Sequence, residues 1–300
     1  MKRYIICLIL SVCCSLTCLV QAQTLKVSPT LKKGKVVTYK STRNMKSNGI
    51  TTTVTSNCKY TVTEETADGY VVDAISTNYK VTGGDKMLNQ MLAVSFEFMS
   101  DVNIRFITDK NGRLKSIKNY DEVRSKMKVN LDRIVNTLFT EQPEISKYTT
   151  KDEMKAKTMG QISESQIIKG MTIDYDVMSL NGKTIFSGAK EEYADNNGMK
   201  MKRVYQVSGK KITSTSTLNM TKADLKKFII DAVEKEAPEN AEMVKNNIDT
   251  IIESGLKVDR SEKAIYDLAD DGWVKTLTVA SNMNMMGQEA ITNDTISRQY

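Results

Sequence analysis

The chain has 300 residues, a formal net charge of +7 and no histidine. A chain without histidine lacks the most common general base and the usual transition-metal ligand, which argues against many enzymes and metalloproteins. Its basic residues are scattered rather than clustered, which argues against a nucleic-acid-binding surface. The sequence has no phosphate-binding glycine loop and no Gly-x-Ser-x-Gly motif, so we expect neither a cofactor nor an enzymatic activity.

The first 22 residues have the organisation of a secretory signal peptide. Two basic residues precede an almost unbroken apolar run over residues 4–18, and Val20-Gln21-Ala22 provides a cleavage site. We therefore expect an exported protein that begins at Gln23 and is periplasmic, associated with the outer membrane or extracellular. After residue 22 we predict no membrane-spanning segment, because no later stretch is long and apolar enough.

Four of the five cysteines lie within the predicted signal peptide, which leaves Cys58 in the mature chain. Cys14 and Cys18 match the processing signal of a lipoprotein poorly. With one remaining cysteine, the mature chain has no internal disulfide. Cys58 lies on the apolar face of a predicted strand and has no histidine to activate it, so we predict a buried, unreactive thiol.

Residues 23–140 form the first of two predicted β-rich units. Strict alternation of the two faces over 13 positions, residues 50–62, predicts a long strand that is buried on one side. Asn111-Gly112 predicts the turn of a later hairpin, and Asn119 with Glu122 predicts a helix cap. The predicted strands of this unit cover residues 35–43, 50–62 and 70–80. The predicted helices, from apolar residues at helical spacing, cover residues 85–99 and 120–139.

A polar connector over residues 141–168 leads to the second predicted unit, residues 169–300. This unit contains a longer helical insertion over residues 221–254, which Thr221 and Asp224 are predicted to cap. Its predicted strands cover residues 171–178, 184–193, 199–207, 211–218, 264–268 and 273–280. The last two strands form a hairpin that resembles the one at Asn111-Gly112.

The two units share a short motif near their start. Lys33-Gly34 and Lys169-Gly170 are each followed, at the same spacing, by a β-branched residue and then by Tyr39 or Tyr175. With the two similar hairpins, this motif predicts two diverged copies of one supersecondary unit. We therefore predict an α+β fold: two repeats of long, curved, antiparallel strands that resemble half-barrels, each covered by amphipathic helices.

Methionines recur on the apolar faces of the predicted helices and strands. Because methionine adapts to irregular apolar shapes, these faces form either ordinary core packing or the lining of a cavity between a sheet and its helices. Two tyrosines occupy matching places in the predicted repeats. The candidate ligand-binding residues are Tyr39, Met87, Met91, Tyr175, Met199 and Met201.

Two acidic motifs bear on modification and on metal binding. Asp294-Thr295-Ile296 resembles the Asp-Ser/Thr-apolar sites that Bacteroidetes-type bacteria O-glycosylate on exported proteins, so Thr295 is a candidate acceptor. The acidic turn at residues 195–198 has oxygen ligands beside a glycine but lacks the spacing of an EF-hand loop. We therefore predict no metal site.

Several segments resemble a family of exported Bacteroidetes proteins of unknown function. The resemblance rests on the signal sequence ending in Ala-Gln, on residues 31–39 and 104–112, and on the closing Asp-Gly-Trp273-Val-Lys motif. It covers nearly the whole mature chain, although Lys169-Gly170-Met171 departs from the expected Gly-Asp-Lys-Trp pattern. The family implies no functional residues. The long strands also resemble, at the level of the fold alone, the half-barrels of periplasmic lipoprotein and lipid carriers.

These observations favour a non-enzymatic exported protein that binds an apolar ligand, a lipid or a lipidated partner in the concave face of a curved sheet. The alternative is a structural or protein-interaction module of the cell envelope that binds no ligand. A cavity on the apolar face would favour the first hypothesis, and a fully packed core would favour the second.

Overall fold

The computed structural model describes residues 23–300 except 48, 85, 174, 196–197, 254–257 and 286–287. The predicted signal peptide therefore lies outside the described residues, and so do the side chains of Met87 and Met91. The described part of the chain contains thirteen β-strands and six α-helices. None of these helices is long and apolar enough to cross a membrane.

The elements alternate between runs of strands and helical segments. The strands are β1 (Thr24–Lys26), β2 (Val36–Ser47), β3 (Ile50–Glu65), β4 (Gly69–Gly83), β5 (Asn103–Asp109), β6 (Leu114–Ile117), β7 (Thr184–Phe186), β8 (Lys190–Ala194), β9 (Lys200–Ser208), β10 (Lys211–Leu218), β11 (Val258–Leu268), β12 (Val274–Met285) and β13 (Gln288–Gln299). The α-helices are α1 (Lys86–Phe98), α2 (Tyr120–Glu141), α3 (Lys151–Gly160), α4 (Glu164–Ile173), α5 (Lys222–Glu236) and α6 (Ala241–Glu253). Short 3₁₀ helices cover Pro143–Lys147 and Pro238–Asn240.

Eleven strands form one antiparallel sheet in the order β6-β5-β4-β3-β2-β13-β12-β11-β10-β9-β8. The pairing of β2 with β13 joins the first long strand to the last, and Arg43 forms a bidentate ion pair with Asp294 across it. Strands β1 and β7 form a separate two-stranded sheet. The α+β class is confirmed, and the two predicted units contribute to a single sheet.

The sheet is buried mainly on one face, which we call the core face. In β3, Tyr60 and Val62 are buried, whereas the preceding residue Lys59, which lies on the other face, is exposed. This confirms the predicted alternation from Thr52 to Val62, whereas Ile50 is exposed; β3 has 16 residues in all. The opposite face carries exposed apolar side chains such as Val36 and Ile107, as expected for a face without a second layer.

The helices cover the core face unequally. Helix α2 buries Val123, Met127 and Leu131, and α4 packs apolar residues against the central core cluster. Helices α5 and α6 instead pack against each other, with ion pairs between Lys226 and Asp249 and between Lys222 and Glu253. They occupy the predicted insertion, and the capping box formed by Thr221 and Asp224 is confirmed.

The strand predicted over residues 171–178 is wrong, because residues 164–173 form α4. Ile167, Ile168 and Met171 pack against the core at helical spacing, and this spacing outweighs the short alternation that suggested a strand. Lys33-Gly34, by contrast, forms a turn before β2, with Gly34 at a φ of +85°. The shared Lys-Gly motif thus has two unrelated conformations, and a duplication of the chain stays a prediction.

Three further predictions need correction. The strand predicted over residues 184–193 is two strands, β7 and β8, because the chain turns at Gly188 with a φ of +89°. The predicted connector contains a 3₁₀ helix, α3 and the start of α4. Asn119 does not cap α2; its Oδ1 atom instead accepts a hydrogen bond from the Arg105 amide at 2.9 Å.

Strand β13 was not predicted at all. Its core face carries Thr292, Asp294 and Arg298 beside a single large apolar residue, Ile296, so the strand has no sustained apolar alternation that would mark it in the sequence. It is recognised as a strand only through its pairing with β2 and β12.

Candidate functional site

A cavity of about 250 Å³ lies on the core face next to strands β2–β5. Part of its sheet wall consists of small side chains on adjacent strands. Ser41 lies opposite Ser56 across β2 and β3, and Cys58 lies opposite Ser76 across β3 and β4. Long apolar side chains at these positions would fill the space, because cross-strand neighbours on one face are about 5 Å apart. The small residues leave a gap between the sheet and the segments that cover it.

The remaining walls are mainly apolar. Phe106 and Ile104 come from β5, and Met171 comes from α4. The complete lining consists of Tyr39, Ser41, Ser56, Cys58, Tyr60, Ala74, Ser76, Tyr79, Met99, Val102, Ile104, Phe106, Met171, Asp176, Val177 and Ile296. No lysine or arginine of the described residues belongs to this lining.

A β-bulge directs Tyr79 towards the cavity. The pairing of β3 with β4 moves from Asn57 opposite Thr77 to Thr55 opposite Lys80, so β4 contains one extra residue here. Asn78 takes a left-handed φ of 56°, which asparagine tolerates better than most residues. The extra residue places Tyr79 on the core face, where its ring stacks on Phe96 of α1 with centroids 4.5 Å apart.

Two tyrosines of the lining form an aromatic cluster with a tryptophan outside it. The rings of Tyr39 and Tyr60 meet edge to face at 5.9 Å, and Tyr60 contacts Trp273 at 6.2 Å. The Tyr39 hydroxyl donates to the Val274 carbonyl at 2.8 Å, and the Trp273 indole donates to the Thr30 carbonyl at 3.1 Å. Burial raises the pKa of both tyrosines well above the usual value, so both hydroxyls remain protonated donors.

Asp176 is the one carboxyl group in the described lining. It follows α4 in a tight turn in which its Oδ1 atom accepts from the Met178 amide at 2.8 Å and its backbone carbonyl accepts from the Ser179 hydroxyl at 2.8 Å. Its Oδ2 atom accepts from the Tyr60 hydroxyl at 3.3 Å. Burial raises the pKa of Asp176 to about 6, because the two hydrogen bonds only partly offset desolvation.

Cys58 is half-buried and lines the cavity, so the prediction of a thiol packed into the core is only partly right. Burial raises the pKa of its thiol, against hydrogen bonds with Ser76 and Tyr60 that lower it. A thiol with a raised pKa is a weak nucleophile at neutral pH, as the sequence predicts.

Of the six predicted ligand-binding residues, the structure places Tyr39 in the cavity wall. Tyr175, Met199 and Met201 lie outside the cavity lining, and the side chains of Met87 and Met91 are outside the described part of the chain. The sequence analysis missed Asp176 and the serines. The sequence did contain a signal for the serines. Ser41, Ser56 and Ser76 are small residues on strand faces that otherwise carry large buried side chains, and such positions indicate unfilled space. The candidate glycosylation site Thr295 is exposed on β13, and its modification stays a prediction.

The core face next to β8–β10 is filled by a polar and aromatic cluster. Arg203 is buried between the rings of Tyr175 and Tyr193, with its guanidinium carbon 4.9 and 4.3 Å from the two ring centres. Its Nε atom donates to the Ser216 hydroxyl at 3.1 Å. A carboxylate, Glu191, lies 3.8 Å from the guanidinium and accepts from the Tyr205 hydroxyl at 2.6 Å. We refer to these six residues as the Arg203 cluster.

The described residues contain no group of three or more cysteine, aspartate or glutamate side chains that could hold a metal ion. No protein-family model matches the sequence, and no curated protein matches it. Solved structures that are distantly similar to this chain include the following three.

One similar structure describes lipid–protein interactions in lipovitellin, with a TM-score of 0.40 and 8% sequence identity over 90% of this chain and 26% of that one. This chain thus spans about a quarter of the lipovitellin chain. A Bacteroides fragilis protein with a YmcC-like fold has a TM-score of 0.26 and 8% identity, over 92% of this chain and all of that one. A porin-like protein from Bacteroides uniformis has a TM-score of 0.20 and 8% identity, over 91% of this chain and 98% of that one. At these scores we base no functional argument on the similarities.

Proposed function

We propose that this protein binds an apolar small molecule, or the end of an acyl chain, in the cavity next to β2–β5 and catalyses no reaction on it. The observation that carries the proposal is the row of small side chains, Ser41, Ser56 and Ser76, where larger ones would close the core. The predicted signal peptide supports a role outside the cytoplasm, in the periplasm, at the outer membrane or beyond the cell.

The small side chains leave space that larger apolar residues would fill. Protein cores are normally close-packed, so a gap of about 250 Å³ beside the apolar core cluster favours a protein that has an occupant.

The volume also limits the size of the occupant. An apolar cavity of roughly 150 Å³ holds a benzene molecule, and on that scale the 250 Å³ of this cavity hold about ten non-hydrogen atoms. This corresponds to an eight-carbon chain with a small head group. A longer lipid would have to extend part of its chain out of the cavity.

The ionisable groups of the lining support binding rather than catalysis. Burial raises the pKa values of Cys58 and Tyr60, so neither side chain supplies a ready nucleophile at neutral pH. Asp176 accepts hydrogen bonds from the Met178 amide and the Tyr60 hydroxyl, and neither of these groups is a nucleophile at neutral pH. A nucleophile paired with a general base is the usual sign of covalent catalysis.

Methionine-methyl NMR tests the proposal at the site itself. Met99 and Met171 line the cavity, whereas Met199 and Met201 are buried outside it and serve as internal controls. We expect titration with octanol to shift the methyl resonances of Met99 and Met171 and to leave those of Met199 and Met201 in place. Native mass spectrometry before and after organic extraction, on protein from its own host, would show whether a guest is already bound.

A matched pair of variants separates cavity binding from surface binding. Ser56→Leu places a long side chain in the cavity, whereas Thr55→Leu places the same side chain on the opposite face of β3. We expect the first variant to lose octanol binding and the second to retain it. If octanol shifts no cavity methionine in the unaltered protein, or binds Ser56→Leu equally well, the ligand proposal fails. The envelope module without a ligand would then be the better hypothesis.

A further inference from the structure

The cavity has a polar end formed by Asp176, and this end bears on the kind of guest that fits. The Asp176 carboxylate has room for about four hydrogen bonds, and the protein supplies two, from the Met178 amide and the Tyr60 hydroxyl. The Tyr60 contact is long, at 3.3 Å. The carboxylate therefore has acceptor capacity left on the side that lines the cavity.

The other polar groups of the lining are neutral. The Tyr39 hydroxyl is already bound to the Val274 carbonyl, and Ser41, Ser56 and Ser76 contribute hydroxyl groups. Among the described residues no lysine or arginine lines the cavity and none forms a salt bridge with Asp176. The site thus offers a hydrogen-bond acceptor of negative character without a cation to balance it.

We propose that the natural guest is an amphiphile whose polar end is a hydrogen-bond donor, an ammonium or hydroxyl group bound by Asp176, rather than a fatty-acid carboxylate. This inference rests on the proposed function, because it names the ligand class of the same cavity. A donor head group would satisfy the free acceptor sites of Asp176. A carboxylate head group would place two like charges in one apolar space, where each opposes the ionisation of the other.

Asp176 also has a structural role in its turn, and the test must distinguish the two roles. In Asp176→Asn the side-chain oxygen can still accept from the Met178 amide, so the turn keeps its hydrogen bond while the negative charge is lost. If Asp176 serves the turn alone, this variant will bind every guest as the unaltered protein does. If Asp176 selects the head group, the ranking of guests will change.

The experiment compares octylamine, octanol and octanoate, which share one apolar chain and differ in the head group. Each is titrated into the unaltered protein and into Asp176→Asn at about pH 8, above the pKa of about 6 of Asp176, with the Met99 and Met171 methyl signals as the readout. We expect octylamine to bind at least about tenfold more tightly than octanoate, with octanol between them. In Asp176→Asn the difference should shrink to about threefold or less, through weaker amine binding and stronger octanoate binding.

The outcomes separate this inference from the proposed function. If none of the three compounds binds at the cavity, the proposed function itself fails. If all three bind equally well, or octanoate binds most tightly, the cavity is a ligand site but the donor-head inference is overturned. The inference is also overturned if Asp176→Asn remains folded and keeps the original ranking. Far-ultraviolet circular dichroism and an unfolding curve establish that the variant is folded.

Discussion

The two halves of one sheet face differ in what occupies the space above the strands. Next to β2–β5, small side chains face a cavity of about 250 Å³. Next to β8–β10, the Arg203 side chain extends between Tyr175 and Tyr193, and its buried guanidinium group fills the corresponding space. Both halves belong to the same antiparallel sheet, so the backbone architecture does not decide which half is hollow.

Serine occurs on the core face of both halves, with opposite consequences. Ser216 is fully buried because Arg203 donates to its hydroxyl and the Tyr175 hydroxyl lies 2.9 Å from it. Ser56 is instead part of the cavity wall, where a further serine, Ser41, lies opposite. A small residue therefore opens a cavity only where no long neighbouring side chain reaches over it.

The acidic groups of the two halves differ in the same way. Burial raises the pKa of Glu191, but the hydrogen bond from Tyr205 and the charges of Lys183 and Arg203 outweigh it and leave the pKa below its ordinary value. Asp176 has no such cation, and burial raises its pKa to about 6. The filled half thus stabilises its negative charge internally, whereas the hollow half supplies no cation to Asp176, and this is the role that we propose for a guest.

The largest effect is expected from breaking the filled half. Arg203→Ala removes the side chain that fills the cluster and leaves the hydroxyl of Ser216 and the carboxylate of Glu191 without the guanidinium. We expect the free energy of unfolding to fall by about 2–5 kcal/mol, because a large buried side chain and its packing between Tyr175 and Tyr193 are lost. Urea unfolding measures this change. The control Gln206→Ala, an exposed position on the same strand, should change stability by less than about 0.5 kcal/mol. A loss below about 1 kcal/mol in Arg203→Ala would contradict the role given to this residue.

A smaller effect is expected from adding the same bulk to each half. Ser214 lies on the core face of β10 and is 1% exposed, so Ser214→Leu must displace packed neighbours. We expect this variant to lose about 1–3 kcal/mol of stability. Ser56→Leu extends into the cavity and should be neutral or stabilise the ligand-free protein by about 1 kcal/mol. Thermal unfolding of ligand-free protein measures both changes. Equal destabilisation by the two variants would show that the cavity is not available to a side chain.

The smallest effect concerns the dependence of stability on pH. The pKa of Asp176 is raised from 3.8 to about 6, so the folded protein binds this proton more tightly than the unfolded chain does. The resulting stabilisation is complete below about pH 4 and is lost as the pH rises through about 6. Because Asp176 is half-buried, we discount the shift for solvent screening and expect a loss of about 1–2 kcal/mol.

Comparing the unaltered protein with Asp176→Asn isolates this contribution, because the other ionisable groups are common to both. We expect the stability of Asp176→Asn relative to the unaltered protein to be about 1–2 kcal/mol higher at pH 7.5 than at pH 4. Chemical denaturation at the two pH values measures this difference. A constant difference at both pH values would mean that the pKa of Asp176 is not raised.

Local sequence patterns were sufficient for the elements whose own residues carry a complete signal. Alternation over residues 50–62 predicts β3, and the Thr221 and Asp224 pair predicts the start of α5, both of which the structure confirms. Asn111-Gly112 predicts the hairpin of β5 and β6, and Gly112 has the left-handed φ of 82° that such a turn requires. In each case a few neighbouring residues determine the backbone geometry.

The core faces of β13 and α4 show why a local pattern can fail. Strand β13 is held by its neighbours β2 and β12, and its polar core-face residues reflect contacts such as the ion pair of Arg43 with Asp294. Residues 169–175 fit both a short alternation and a helical stripe. Contact of Ile167, Ile168 and Met171 with the core favours the helix. That contact involves residues far away in the chain, so a short stretch of sequence cannot reveal it.

The sequence by itself therefore determined the α+β class, most strands of the sheet and the position of Tyr39 on its buried face. Only the tertiary structure decided that both predicted units form one sheet, because the β2–β13 pairing joins segments about 250 residues apart. It also decided where the hollow lies. A cavity is the space that side chains from several distant segments fail to fill, so it depends on the reach of Arg203 in one half and on Asp176, Met171 and Phe106 in the other.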